Sequence, residues 1–292
     1  MGDLYVYKCA IRIYYCNHVL SKIWAKVNMG VPLSSSLSIL EELTNRFFSS
    51  DFISDAEATF KYKNKMSQIK KSDVYGNLIW AMYHACREDK TNALSSFKNA
   101  LHYSSNMRYK TLINMLFYMM RVGLLEDYIN TLNEEEDFLK SSLSFTAWEH
   151  LANKYLLDGN FEKIQQLVDN INYQGTYYEE SKSEIAVIKN KLYLARKFEE
   201  AVGISKHHIK KITDMMLSIA NTYEFKDFNI VFSADDQKIN TIIFYTSSSS
   251  DNEISNANLE LSEDLVENEE LLDYDFIPMF AYDEPKEILE LV

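Results

Sequence analysis

The chain has 292 residues, 47% of them hydrophobic and 25% charged, a balance that excludes global disorder and allows one large domain or two modest ones. Seven glycines and three prolines are too few for a collagen-like, glycine-rich or many-turned all-β chain, so long helices with short connections are expected. The net charge of −13 is local: residues 224–292 hold 18 acidic and 3 basic side chains, a balance of −15, whereas residues 1–223 stand at +2. An acidic surface of that kind attracts basic proteins and repels nucleic acid and anionic lipid, so neither nucleic acid nor membrane is an expected partner. Three cysteines, an odd count, and the lack of any Asn-x-Ser/Thr sequon fit a reducing, cytoplasmic setting. A chain of this length can stabilise a core without disulfides or metal.

In chain order, the first thirty residues read as one or two helices ended by Gly30 and Pro32. Lys8 and Arg12 interrupt that apolar stretch, and Asn114 and Arg121 interrupt the one from Leu112, so neither reads as a signal peptide or a membrane span. Ser34 to Ser36 followed by Glu41 and Glu42 start one helix, and Ser54-Asp55 start another running to Ile69. The N-terminal capping helices thus occupy residues 1–70. Four helical hairpins follow between Asp73 and Ile212, with Ala93, Tyr128, Ile164 and Ala201 as equivalent positions at intervals of 35, 36 and 37 residues. Gly123 and Gly159 mark two of the turns, and Arg196 stands at the fourth. After Tyr223 the hydrophobic period becomes alternating. Phe225 to Phe232 and Ile239 to Tyr245 are expected as strands joined at Asp235-Asp236, Ile254 to Leu265 as an acidic helix, and Phe276 to Ala281 as a third strand held to an edge by Pro278. The domains expected are therefore 1–223, helical, and 224–292, a small acidic ββαβ module.

The third hairpin carries the most specific pattern. Trp148, Leu151, Ala152, Tyr155, Gly159 and Phe161, continued by Ile164, Leu167, Val168 and Ile171, resemble the tetratricopeptide repeat (TPR), with Ile164 replacing a small residue. Thr91 to Leu94 with Phe97 and Ala100 add a matching second helix. The resemblance covers residues 73–212 and implies a mainly α fold, a right-handed α-solenoid of TPR-like helical hairpins. It also implies a concave groove lined by the first helix of each pair, where polar side chains hold an extended peptide of a partner. In this register Asn153 and Asn190 are equivalent, Met82 and Phe117 stand in their place in earlier units, and Lys110, Arg121, Glu149 and Tyr193 share the groove side.

Signatures of catalysis are lacking. No glycine-rich phosphate loop, nucleophile elbow or His-Glu-x-x-His motif occurs, and no catalytic residue, cofactor or metal is expected. Cys9 and Cys16, near His18, read as buried hydrophobes; His84 and Cys86, two apart on a helix, point to different sides. His207-His208 among Lys206, Lys210 and Lys211 fit the last turns of a helix, where cations are favoured. Asn133 to Asp137 reads as a solvated face, and Tyr173, Tyr177 and Tyr178 as local packing. The expected function is a non-enzymatic protein-binding adaptor or regulator that captures a partner in the groove, with the acidic end able to fold back on Lys110 and Arg121. Two rivals stand beside it. One is an inhibitor or immunity-type protein that blocks a basic enzyme through the acidic module, which salt would weaken. The other is an enzyme whose Asp235, Asp236, Asp251 or Asp283 gather a hard divalent cation.

Overall fold

The computed structural model describes residues 35–103, 107–142, 144–173, 182–234, 239–247 and 250–282. Cys9, Cys16, His18, Tyr177, Tyr178, Asp235, Asp236 and Asp283 lie outside them, as do the helices expected before Gly30. The described residues form a mainly helical fold with one small sheet, divided into two compact units, 35–115 and 116–282. The boundary expected at Tyr223 therefore falls inside the second unit.

In the first unit, α1 (Ser35–Phe48) precedes a turn at Ser50 and the capped start of the next helix. Ser54 Oγ accepts from Glu57 N, and the Glu57 carboxylate accepts from Ser54 N, each at 3.3 Å. The expected single helix is instead α2 (Asp55–Glu57), a π-helical stretch (Ala58–Tyr62) and α3 (Lys63–Ser67). The π-helix ends on Tyr62, which is fully buried and donates to Glu42 Oε1 at 2.7 Å. Glu42 also accepts from Lys65 at 3.1 Å and pairs with Lys61 at 2.7 Å. Burial would raise the Glu42 carboxyl, but hydrogen bonds from Lys61, Tyr62 and Lys65 outweigh it and hold its pKa down to about 2.

Next come α4 (Val74–Ala85), capped by Asp73, and α5 (Lys90–Tyr103), an antiparallel pair joined through Glu88 at φ 56°. α1 packs on α4 through the buried Leu43 and Phe47. Cys86, just past α4, is buried, its Sγ donating to Leu43 O at 3.2 Å, and burial pushes its thiol up to about 12. His84 leans on Trp80 and Asp89 instead, so the two side chains form no nucleophile and base pair. The unit division falls within α6 (Arg108–Val122).

The second unit continues with α7 (Leu125–Glu134), α8 (Glu136–Ser141), α9 (Phe145–Leu157), α10 (Phe161–Tyr173), α11 (Lys182–Val202) and α12 (Lys206–Thr222). Gly123 (φ 75°) and Gly159 (φ 59°) make the expected turns, in the left-handed conformation that closes a helix. The fourth turn differs. Arg196 lies inside α11, and the chain turns at Gly203, φ 67°. From Leu192 to Val202 the sequence holds only helix-compatible residues, and glycine first becomes available for the left-handed cap at 203. Positions equivalent to Ala93, Tyr128 and Ile164, each five residues past its turn, therefore lead to His208 and not to Ala201.

The same shift moves His207 and His208. They occupy the first turn of α12, capped by Ser205, where the helix dipole disfavours cations, so the expected placement in last turns is corrected. Glu270 from a later segment offsets this by pairing with Lys211, and His208 Nδ1 lies 2.7 Å from Tyr274 Oη.

Gly159 is also a contact point. A Cβ there would sit 2.9 Å from Lys206 O and 3.0 Å from Ile209 Cβ. Gly159→Ala is expected to lose about 1–2 kcal/mol from the left-handed backbone alone, read as a lower urea midpoint; an unchanged midpoint would contradict the turn assignment.

The ββαβ order appears as expected. β1 (Asn229–Ala234) pairs antiparallel with β2 (Asn240–Thr246); α13 (Asp251–Glu267) then crosses to β3 (Ile277–Tyr282), which pairs parallel with β2. The sheet order β1-β2-β3 leaves β3 at an edge, where Pro278 belongs. That edge is closed by a side chain: Asn258 of α13 donates to Phe280 O at 3.0 Å and accepts from Phe280 N at 2.7 Å. Ser250 and Glu253 form a capping box at the start of α13.

Candidate binding surfaces

Ten residues of α9 are buried, including the polar His150, Asn153 and Lys154. A first helix lining an open groove would leave one face wet. α9 instead touches α7, α10, α11, α12 and also β1, so part of the C-terminal module lies on it.

The register explains the fit. Ile230, Phe232 and Ala234 alternate inward on β1, opposite Phe244, Ile242 and Asn240 of β2, and Phe280 of β3 extends the same face. Phe232 sits edge-on to Phe161 (5.5 Å) and Phe198 (5.3 Å), and Phe228 packs on Tyr128 at 5.5 Å. Polar contacts pin the rim. Arg121 Nη1 reaches Asp227 Oδ2 at 3.2 Å, Asp227 N donates to Met120 O at 2.9 Å, and Lys191 Nζ bridges Asn153 Oδ1 (2.6 Å) and Asn229 Oδ1 (3.1 Å). The start of the module thus packs against the helices, and Arg121, one of the two residues set against the acidic end in the sequence, pairs with Asp227.

The groove residues consequently separate. Asn153 is 3% exposed and held by Lys191, whereas Asn190 is exposed and Tyr193 is 63% exposed. With the fourth turn at Gly203, the position six residues before it, equivalent to Met82, Phe117 and Asn153, is Lys197; Asn190 is not in register. Phe117 packs on His150 at 4.9 Å, and His150 Nδ1 meets Tyr128 Oη at 2.8 Å. Glu149 is half-buried on α9. Lys110 belongs to the first unit, where burial lowers its pKa.

No known family model, curated protein or solved structure matches the chain. Its surfaces therefore have to be weighed on their own chemistry.

Glu136 is one residue that sequence reasoning missed, since it fell in a run assigned to solvent. Asn133, Glu134 and Asp137 do face water. Glu136 instead accepts from Lys140 (2.6 Å), Lys163 (2.8 Å) and Tyr155 (2.9 Å), while Lys154 stands 3.3 Å from its other oxygen. Burial opposes ionisation, but these donors outweigh it and hold the carboxyl well below the usual range. One carboxylate thereby ties α8, α9 and α10 together. The available signal was Lys140 at i+4 and lysines at 154 and 163 in the next hairpin.

An open groove of about 570 Å³ lies between α12 and α13, lined by His207, Lys210, Lys211, Asp214, Met215, Ser218 and Asp264. Its lysines are already committed, Lys210 to Asp214 and Lys211 to Glu270. Among the described residues no three His, Cys, Asp or Glu side chains gather to hold a metal, and no helix is long and apolar enough to cross a membrane.

The other surface is α13. Ala257 and Leu261 face inward, whereas Leu259 is 61% exposed and Val266 65%. From Asp251 to Ile277 the chain holds ten Asp or Glu residues and no Lys, Arg or His. Glu263 and Glu267 are exposed beside the two apolar side chains, and Leu272 follows at 57% exposure.

Proposed function

We propose that the chain is a non-enzymatic, cytoplasmic protein-binding regulator, a right-handed solenoid of TPR-like hairpins, that captures a basic partner on the acidic outer face of its ββαβ module. The observation that supports this is the occupancy of the expected groove by the chain itself: Arg121 is paired with Asp227, and Asn153 with Lys191. Vacating it would return Phe228, Phe232, Phe244 and Phe280 toward water, at roughly 1.5–3 kcal/mol each, more than a short peptide gains by taking their place. The reading keeps the class of function inferred from the sequence and moves the capture surface outward, to the side that carries the excess acid. Its mechanism is stoichiometric. A cationic surface is drawn in by charge, and burial of an interface blocks or positions it.

Titration of the whole chain with a fluorescent lysine-rich peptide tests the reading. Affinity is expected to fall at least about tenfold between roughly 50 mM and 500 mM salt, because exposed charges are screened over that range. No binding at low salt would overturn the proposal, as would an affinity indifferent to salt. Binding unchanged by Mg²⁺, Ca²⁺ or chelator is also expected, and a metal requirement would favour the enzymatic rival.

A further inference from the structure

The charge of α13 accounts for attraction but not for the two large apolar side chains left in water among its acids. Leu259 and Val266 are seven residues apart, two helical turns, so they share one face about 10.5 Å apart along the axis. Ser262 and Glu263 complete the i, i+3, i+4, i+7 row, and all four are exposed. Glu267 flanks Val266, and Glu270 lies beyond, shared with Lys211 of α12. A row with apolar residues seven apart and acids around them is complementary to one kind of surface, a helix with its own apolar residues seven apart and Lys or Arg on either side. Duplex nucleic acid and anionic membranes offer like charge, and a uniformly cationic segment without apolar residues would leave Leu259 and Val266 uncovered.

We propose that the outer face of α13 docks a basic amphipathic helix of a partner protein, whose apolar residues cover Leu259 and Val266 while its cations meet Glu263 and Glu267. This rests on capture of a basic partner by the acidic face and specifies the form that partner takes.

The test uses the whole chain and two synthetic peptides of identical composition. One is a leucine–lysine helix with its leucines on a heptad seam, the other is scrambled to scatter them. The amphipathic peptide is expected to bind at least about tenfold tighter by fluorescence anisotropy, and Leu259→Ser together with Val266→Ser to reduce it to the affinity of the scrambled one. Both sites face solvent, so far-UV circular dichroism and Tm should be unchanged and loss of fold is separable. Equal, salt-sensitive binding of the two peptides would overturn the seam and leave charge-driven capture standing. If neither peptide binds, both proposals fall.

Discussion

Phe232→Ala is expected to destabilise the second unit by about 3–5 kcal/mol, the range for removing a buried phenylalanine from a packed core. The ring is 2% exposed and sits between Phe161 of α10 and Phe198 of α11, so its loss opens a cavity where the sheet meets two helices. Urea unfolding of the whole chain, followed by tryptophan fluorescence, reads the effect. A loss under about 1 kcal/mol would mean that the sheet is a loosely attached appendage. Val266→Ala, on the outer face of α13, is the control and should stay within about 0.5 kcal/mol of the parent. Because Phe232 bridges two hairpins, removing residues 224–292 would strip the core of the second unit and not simply uncover a groove.

Glu136→Gln is expected to cost about 3 kcal/mol at neutral pH, the lower end of the range for breaking a buried ion pair by removing one partner. Lys154 is nearly fully buried and would keep only Asp158, at 2.7 Å, as its counter-ion. The pH dependence follows from the direction of the shift. A carboxyl held low in the folded state binds its proton more tightly when unfolded, so its stabilisation is complete above the unfolded value of about 4.3 and is lost as pH falls through the folded value. Wild-type stability should therefore decline from about pH 5 downward, and Glu136→Gln should flatten that decline. Glu42, held at about 2 by Lys61, Tyr62 and Lys65, gives the first unit a similar acid limb. Denaturant midpoints from pH 2 to 7 would show it, and parallel curves for the two proteins would remove Glu136 from the role of hub.

What could be read in advance depended on how local the signal was. The hairpins with a left-handed residue at 123 and 159, the change from helical to alternating period after Tyr223, and the edge placement of Pro278 each reside in a few neighbouring residues. The fourth turn was misplaced because a fixed period was given more weight than local chemistry. α11 runs through Arg196 because nothing there breaks a helix, and the glycine that can is at 203. That one shift removed Asn190 from register with Asn153 and moved His207 and His208 from a helix end to a helix start.

Other features are tertiary and leave little trace in sequence. Glu136 looks like any surface acid until Lys140 of its own helix and Lys154, Tyr155 and Lys163 from neighbouring helices surround it. Lys191 belongs to no motif, yet it joins Asn153 on α9 to Asn229 on β1. The packing of the sheet on the helices left only a charge signal in the sequence, which set Arg121 against an acidic end. Its main fastening is aromatic, through Phe228 and Phe232, and side-chain shape of that kind is invisible to a charge count. Within the acidic helix expected from Ile254 to Leu265, Leu261 does turn inward, together with Ala257, whereas Leu259 is left exposed.

The most direct test of the whole account is methyl NMR of the intact chain during titration with the basic amphipathic helix. Capture on the outer face predicts shifts at Leu259 and Val266, with Met120, Ile230 and Ile242, where the sheet meets the helices, unmoved. Shifts confined to Met120, Ile230 and Ile242 would contradict it and return the binding surface to the side where the sheet meets the helices.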